Sequence, residues 1–232
     1  MSGPPPLREA TTQYRGSVHA GALDYWSARL AGVAVVLLQV LLINELAVGH
    51  RWLAPGVELA ILLLLSIITA RSRNRARFRQ LEARLVLALI TVVSLANALA
   101  LFRLIQELLA GAVHNGRSLL VDALNVWSTN VIVFALWYWI LDRGGPAMRA
   151  LERGGSPEFA FPQPNTRDNG GTEETLPGFV DYLFLSFTTS TAFSPTDTLP
   201  LSRRMKMLMM AEAMISLLTI ALVAARAVNI LA

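Results

Sequence analysis

The chain has no cysteine in its 232 residues. That excludes disulfide frameworks, thiolate metal sites and cysteine nucleophiles. Charge is sparse, at 16% of residues, and nearly all of the basic residues are arginine. The three histidines, His19, His50 and His114, fall in termini or loops with no second histidine at ligand spacing, so no metal site is expected. There is no H-E-x-x-H, no P-loop, no G-x-S-x-G and no dinucleotide-binding glycine fingerprint. Neither an enzyme nor a resident cofactor is expected. Residues 1–29 form a polar tail without the short apolar core and small-residue cleavage site of a signal peptide. The first apolar segment is therefore expected to act as an uncleaved anchor.

What the chain has in excess is apolar residues, at 54%, with a mean hydropathy of +0.49. A soluble domain of this length carries less. The excess lies in long runs at 30–48 ("LAGVAVVLLQVLLINELAV"), 57–70, 85–109, 119–141 and 205–231. About 20 apolar residues in helix cross a hydrocarbon core of about 30 Å, and in lipid such segments are helical because their backbone groups have no water to bond. The stretch 142–177 changes character, with "DRGGP", "RGGSPEF" and "FPQPNTRDNGGTEETLP". It reads as a Gly/Pro-rich polar loop, with Phe159 and Phe161 at the membrane interface. Residues 178–190 are apolar and aromatic but too short to span, which suits a re-entrant or interfacial helix. The expected fold is an all-α membrane protein with about five transmembrane helices and this short helix before the last. Its parts are the tail 1–29, a four-helix membrane region 30–141, the loop 142–177, and a C-terminal unit 178–232.

Arginine placement sets the expected orientation. "RSRNRARFRQLEAR" between the second and third spans holds Arg71, Arg73, Arg75, Arg77, Arg79 and Arg84, a strong cytoplasmic signal. With that loop inside, all of the 20 basic residues except Arg51, Arg103, Arg117 and Arg226 fall on the cytoplasmic side. Arg71, Arg73, Arg75, Arg77 and Arg79 would also contact anionic lipid. The basic residues sit beside apolar spans, so nucleic acid is not an expected partner. Trp137, Tyr138 and Trp139 read as anchors at the membrane–water interface.

"LSFTTSTAFSPTDTLP" is similar in length and layout to the pore loop of potassium channels. Ser186, Phe187, Thr188, Thr189, Thr191, Asp197 and Pro200 match the family pattern without a gap. A short aromatic helix precedes the stretch and a long apolar helix follows, with Glu212 where many such channels carry an acid. The resemblance covers about the last 55 residues. It implies a permeation path with Thr188, Thr189, Thr191, Ser194, Thr196, Asp197 and Glu212 along it, in a homo-oligomer. The selectivity-filter positions hold Ala192, Phe193, Ser194, Pro195 and Thr196. Filter glycines adopt angles that other residues adopt at a cost, and Pro195 removes an N–H, so potassium selectivity is not implied. The resemblance also places the loop outside, whereas the arginines place it inside. A second reading of "SPTD" is a helix start, with Ser194 as N-cap and Pro195 at the first position. Separately, "NVWSTNVIVFALWYWILDRGGP" and "AFSPTDTLPLSRRMKMLMM" resemble a group of uncharacterised bacterial integral membrane proteins. That likeness implies the bacterial inner membrane and brings no activity.

Polar residues within spans are costly and serve as functional candidates. Asp122, Asn125 and Thr129 share one helix face by their steps of three and four, and line a path or bond another helix. Glu212, with Ser216 and Thr219 on its face, is either a functional acid or the partner of a snorkelling Arg or Lys. Two functions remain open: a channel-like or transport protein, and a non-conducting membrane scaffold or accessory subunit.

Overall fold

The computed structural model describes residues 76–109, 116–145, 155–162, 176–191 and 198–231, together with Val33. Side chains are described between residues 84 and 225, apart from 110–118 and the gaps between those ranges. The expected spans 30–48 and 57–70, Arg71, Arg73 and Arg75, and the loop residues Ser194, Thr196 and Asp197 lie outside the described residues.

Four helices dominate: α1 (Ala76–Leu109), α2 (Gly116–Leu141), α3 (Phe179–Thr191) and α4 (Arg203–Leu231). The helix α1 starts nine residues before the expected span. Its first turns (Ala, Arg, Gln, Leu, Glu) favour helix, and no Gly or Pro interrupts its 34 residues. Arg77 and Arg79 therefore sit on helix rather than in a loop. Among the described residues three stretches are long and apolar enough to cross a membrane, Arg84–Leu109, Leu119–Gly144 and Arg203–Ala225. Of these, α2 is the central one: 56% of its apolar stretch is buried, against 28% in α1 and 17% in α4.

Neighbours of α2 run antiparallel to it. Near one end Leu104 of α1 packs on Leu119 and Ala123, with Leu222 and Val223 of α4 against them. Near the other end Trp137 donates its indole N–H to Ser94 Oγ of α1 at 3.0 Å, and Leu89, Ile90, Val133, Phe134 and Met205 share a core.

α2 ends at a 3₁₀ turn, Asp142–Gly144. Arg143, Gly144 and Gly145 have φ of 50°, 77° and 90°. Three successive residues with positive φ end the helical path. Glycine is required at the last, where a Cβ would stand 3.0 Å from the Ile140 carbonyl oxygen. Two short strands follow in the chain, β1 (Phe159–Ala160) and β2 (Leu199–Pro200), paired antiparallel. The Leu201 N–H extends the pairing to the Glu158 carbonyl at 2.8 Å. Thus part of the expected polar loop is a strap across the end of the bundle, and among the described residues the all-α expectation needs this one ladder added.

Both helices after the strap have identifiable starts. Gly178 precedes α3, and its N–H donates to Asp181 Oδ2 at 2.7 Å, half of a capping box. Ser202 caps α4, with the Met205 N–H on its Oγ at 3.3 Å. The expected helix start at Ser194 lies outside the described residues; 199–200 are strand and α4 begins at Arg203. The start of α3 lies beside the end of α2, where Tyr182 donates to Asp142 Oδ2 at 2.6 Å. By Ser190 it has reached the level of Trp127, whose indole N–H meets the Ser190 carbonyl at 3.5 Å. At Leu201 the chain is back beside Glu158. So α3 and its return form a hairpin that enters and leaves at one end of the bundle.

Phe159 also departs from expectation. It is buried, packing edge-on against Tyr138 at 5.3 Å and near Tyr182 at 6.4 Å, instead of lying at an interface. Tyr138 and Trp139 are likewise inside protein rather than free to anchor in headgroups. The strap is held by an ion pair between Arg204, whose side chain is 64% exposed, and Glu158, 8% exposed. The buried partner has lost its water, so the coupling within the pair is less screened than in a solvated one, while the desolvation offsets part of the net gain. A double-mutant cycle of Arg204→Met and Glu158→Gln, read by thermal unfolding in detergent, is expected to give a coupling of about 1 kcal/mol, the top of the range for exposed pairs. Additive effects would mean that the pair does not hold the strap.

Candidate functional site

Glu212 lies 0% exposed in the middle of α4. An isolated carboxylate in an apolar medium is prohibitively costly, so its partners decide what it is. They come from two other helices. Tyr138 of α2 makes a short hydrogen bond from its hydroxyl to Glu212 Oε2. Ser190 of α3 donates to Oε1 at 2.9 Å. Ser186 Oγ, one turn earlier on α3, makes a short contact with the same oxygen. No Arg or Lys takes part, so the expectation of a snorkelling basic partner is overturned among the described residues.

Ser186 carries a further constraint. Its Oγ also stands 2.7 Å from the Val131 carbonyl oxygen. A hydroxyl has one hydrogen, so it cannot donate to both oxygens. When it donates to Val131, the hydrogen in its contact with Glu212 is the carboxyl's own.

The cluster continues along α2 and α4. Asn130 Nδ2 donates to Ser216 Oγ at 2.9 Å and to the Glu212 carbonyl at 3.3 Å. Ser216 and Thr219 are buried on the Glu212 face, as the spacing predicts. Toward the strap a second cluster forms. Asp142, fully buried, accepts from the Tyr182 hydroxyl and, at 2.7 Å, from the Glu158 N–H. Glu158 Oε1 pairs with Arg204, while its buried Oε2 has no hydrogen-bond partner among the described residues.

The other sequence candidates fall elsewhere. Thr188 bonds the Phe184 and Leu185 carbonyls at 2.9 Å each. Thr189 bonds Leu185 at 2.8 Å and Thr191 bonds Phe187 at 3.0 Å. All three hydroxyls are thus turned onto their own helix. Thr129 is buried and donates to Asn125 Oδ1 at 3.2 Å, also within its helix. Asp122 and Asn125 are half-buried further along α2. Asn130, next to that stripe, is the residue that reaches Glu212. Tyr138, Ser186, Ser190, Tyr182, Asp142 and Glu158 were not singled out as site residues from sequence. For all but Glu158 the signal that finds them is a step of four: 138 on α2 and 142 on the turn just past it, 182, 186 and 190 on α3, 212 and 216 on α4. Each set makes one polar row on its helix.

Comparison with protein families, with curated proteins and with solved structures finds no match.

The geometry gives a stability expectation. An interhelical hydrogen bond within a membrane averages about 0.6 kcal/mol, so removing all three hydroxyl partners by Glu212→Ala should cost about 2 kcal/mol. Glu212→Gln, which keeps the shape and most of the bonding, should cost less than half of that. Thermal midpoints in detergent check both. Equal losses would mean that volume rather than hydrogen bonding dominates.

Proposed function

We propose that the protein is a multi-pass protein of the bacterial inner membrane, of channel-like or transport type, working through the Glu212 carboxyl. The observation that carries this reading is the carboxyl's setting. It is wholly buried in a helix long enough to cross a bilayer, and it is bonded by hydroxyls instead of neutralised by a base. Acidic groups at such positions mark ion and proton paths more often than packing sites. The hairpin of α3 supports the re-entrant element of the pore-loop likeness, and the proposal puts a permeation path near the Ser/Thr loop 186–197. One unit of so few helices does not enclose a pore, so a homo-oligomer belongs to the proposal. Anionic lipid at the arginines 71–79 belongs to it as well.

A non-conducting scaffold or accessory subunit is the second reading. The three threonine hydroxyls favour it, since they are spent on their own backbone.

Flux through proteoliposomes separates the two. Wild type is expected to pass an ion under an imposed potential, and Glu212→Gln to fall to the rate of empty liposomes. No flux of any ion in wild type would leave the scaffold reading. Sidedness is open to a direct test, because the chain has no cysteine. Thr196→Cys is expected to react with an impermeant maleimide only in opened cells, like Asn74→Cys. Labelling of Thr196→Cys in intact cells would reverse the proposed orientation.

A further inference from the structure

Two buried carboxyls in this bundle, Glu212 and Asp142, are each bonded by a tyrosine hydroxyl, from Tyr138 and Tyr182. The two clusters are stacked. Tyr138 lies on α2 one turn before Asp142, and Tyr182 and Ser186 are one turn apart on α3. Beyond Glu212 the polar side chains continue through Ser190, Ser216 and Asn130, all buried. From Asn130 to Asp142 the row covers about 18 Å of helix rise, more than half of a hydrocarbon core about 30 Å thick. Leu89, Ile90, Val133, Phe134, Leu185 and Met205 form the apolar core beside it.

We propose that this row is a proton path, with Glu212 as its central proton-binding group and Asp142 as a second one at the strap end. The inference rests on the transport reading and names what is transported. The groups around Glu212 are hydroxyls, and the hydrogens they hold outnumber neither the oxygens nor the contacts. Ser186 has one hydrogen for two oxygens. Such a set passes hydrogens from oxygen to oxygen. Tyr138 and Ser190 turn their hydrogens toward the carboxyl oxygens, which leaves hydrogens rather than a cation between the oxygens, and no group of three His, Cys, Asp or Glu side chains able to hold a metal ion occurs among the described residues.

Each hydroxyl in the row hands on its own hydrogen as it receives another. Only O–H bonds form and break, and each transfer leaves the hydroxyl neutral; Asn130, which has no hydroxyl, orients Ser216 and hands on no hydrogen. At the strap end there is an independent sign of a port. Glu158 is bonded through its backbone to Asp142, and its Oε2 is buried without a donor among the described residues. A buried acceptor left open costs free energy unless water or a proton visits it. Among the described residues the charged and titratable groups at this end are Asp142 and Arg143 on the turn after α2, Glu158 on the strap, Asp181 and Tyr182 on α3, and Arg203, Arg204 and Lys206 on α4. Phe159 packs on both tyrosine rings at the level between the clusters, so the strap sits where the row is broken.

The test is proton entry into proteoliposomes, followed by an internal pH dye under a potassium diffusion potential, with sodium and potassium flux measured in parallel. Wild type is expected to admit protons. Glu212→Gln, Asp142→Asn and Tyr182→Phe are each expected to lose that entry, with all three monodisperse in detergent. If Asp142→Asn does not fold, Tyr182→Phe, which removes one hydroxyl only, carries the test. Loss in Glu212→Gln with full rates in Asp142→Asn and Tyr182→Phe overturns the row and leaves the Glu212 reading standing. Passage of sodium or potassium without protons overturns the proton assignment and leaves transport standing. No movement of any ion overturns both. Infrared spectra give a readout apart from flux. A protonated-carboxyl band that shifts in deuterium oxide and is missing in Glu212→Gln is expected, and its absence from wild type overturns the proposal.

Discussion

A carboxyl buried among apolar helices must find hydrogen-bonding partners or leave the interior, and most of this fold follows from how Glu212 finds them. Its partners sit on α2 and α3, so the three helices are held at one rotation about their axes and at one height. A shift of one residue in α4 would turn Glu212 by about 100°, away from Tyr138, Ser186 and Ser190. Apolar packing alone is far less particular, since in lipid the surroundings are as apolar as the neighbouring helix. The polar centre therefore supplies register, and Leu185, Phe134 and Met205 fill in around it.

The strap depends on a second constraint of the same kind. Asp142 closes α2, and its two oxygens accept from Tyr182 and from the Glu158 backbone, one on each side. The positive-φ run at Arg143, Gly144 and Gly145 turns the chain out at this point. In one short segment, then, the chain ends a helix, seats the hairpin of α3 and aligns the strand that pairs with Leu199–Pro200. The aromatic side chains Phe159, Phe161 and Tyr182 pack edge-to-face over the same point.

Much of this is legible in the residues. The apolar runs mark all three long helices, and 13 residues of "FVDYLFLSFTTST" are too few to cross. Glu212 with Ser216 and Thr219 stands out from spacing alone. The partners of Glu212 do not stand out, because they depend on which helices meet. Tyr138 sits between two tryptophans in "WYW", where an interfacial role looks natural, and only the antiparallel packing of α2 and α4 brings it to the acid. The threonines drew notice through a pattern of letters, but a threonine in a helix satisfies its hydroxyl on the preceding turn at little cost. The strap was hidden for another reason. Gly and Pro on both sides of "EFAF" speak for a loop, and two-residue strands leave no periodicity to read.

The hairpin of α3 has one more consequence, for parity. A segment that goes in and comes back adds apolar mass without changing sides. The turn at 142–145, the strap at 158–162 and the start of α4 at residue 203 therefore share one face of the bundle, although an apolar helix lies between them in the chain. Counting hydrophobic segments would assign these stretches to alternating sides. The fold makes them a single surface, on which Glu158 and Arg204, 46 residues apart, meet.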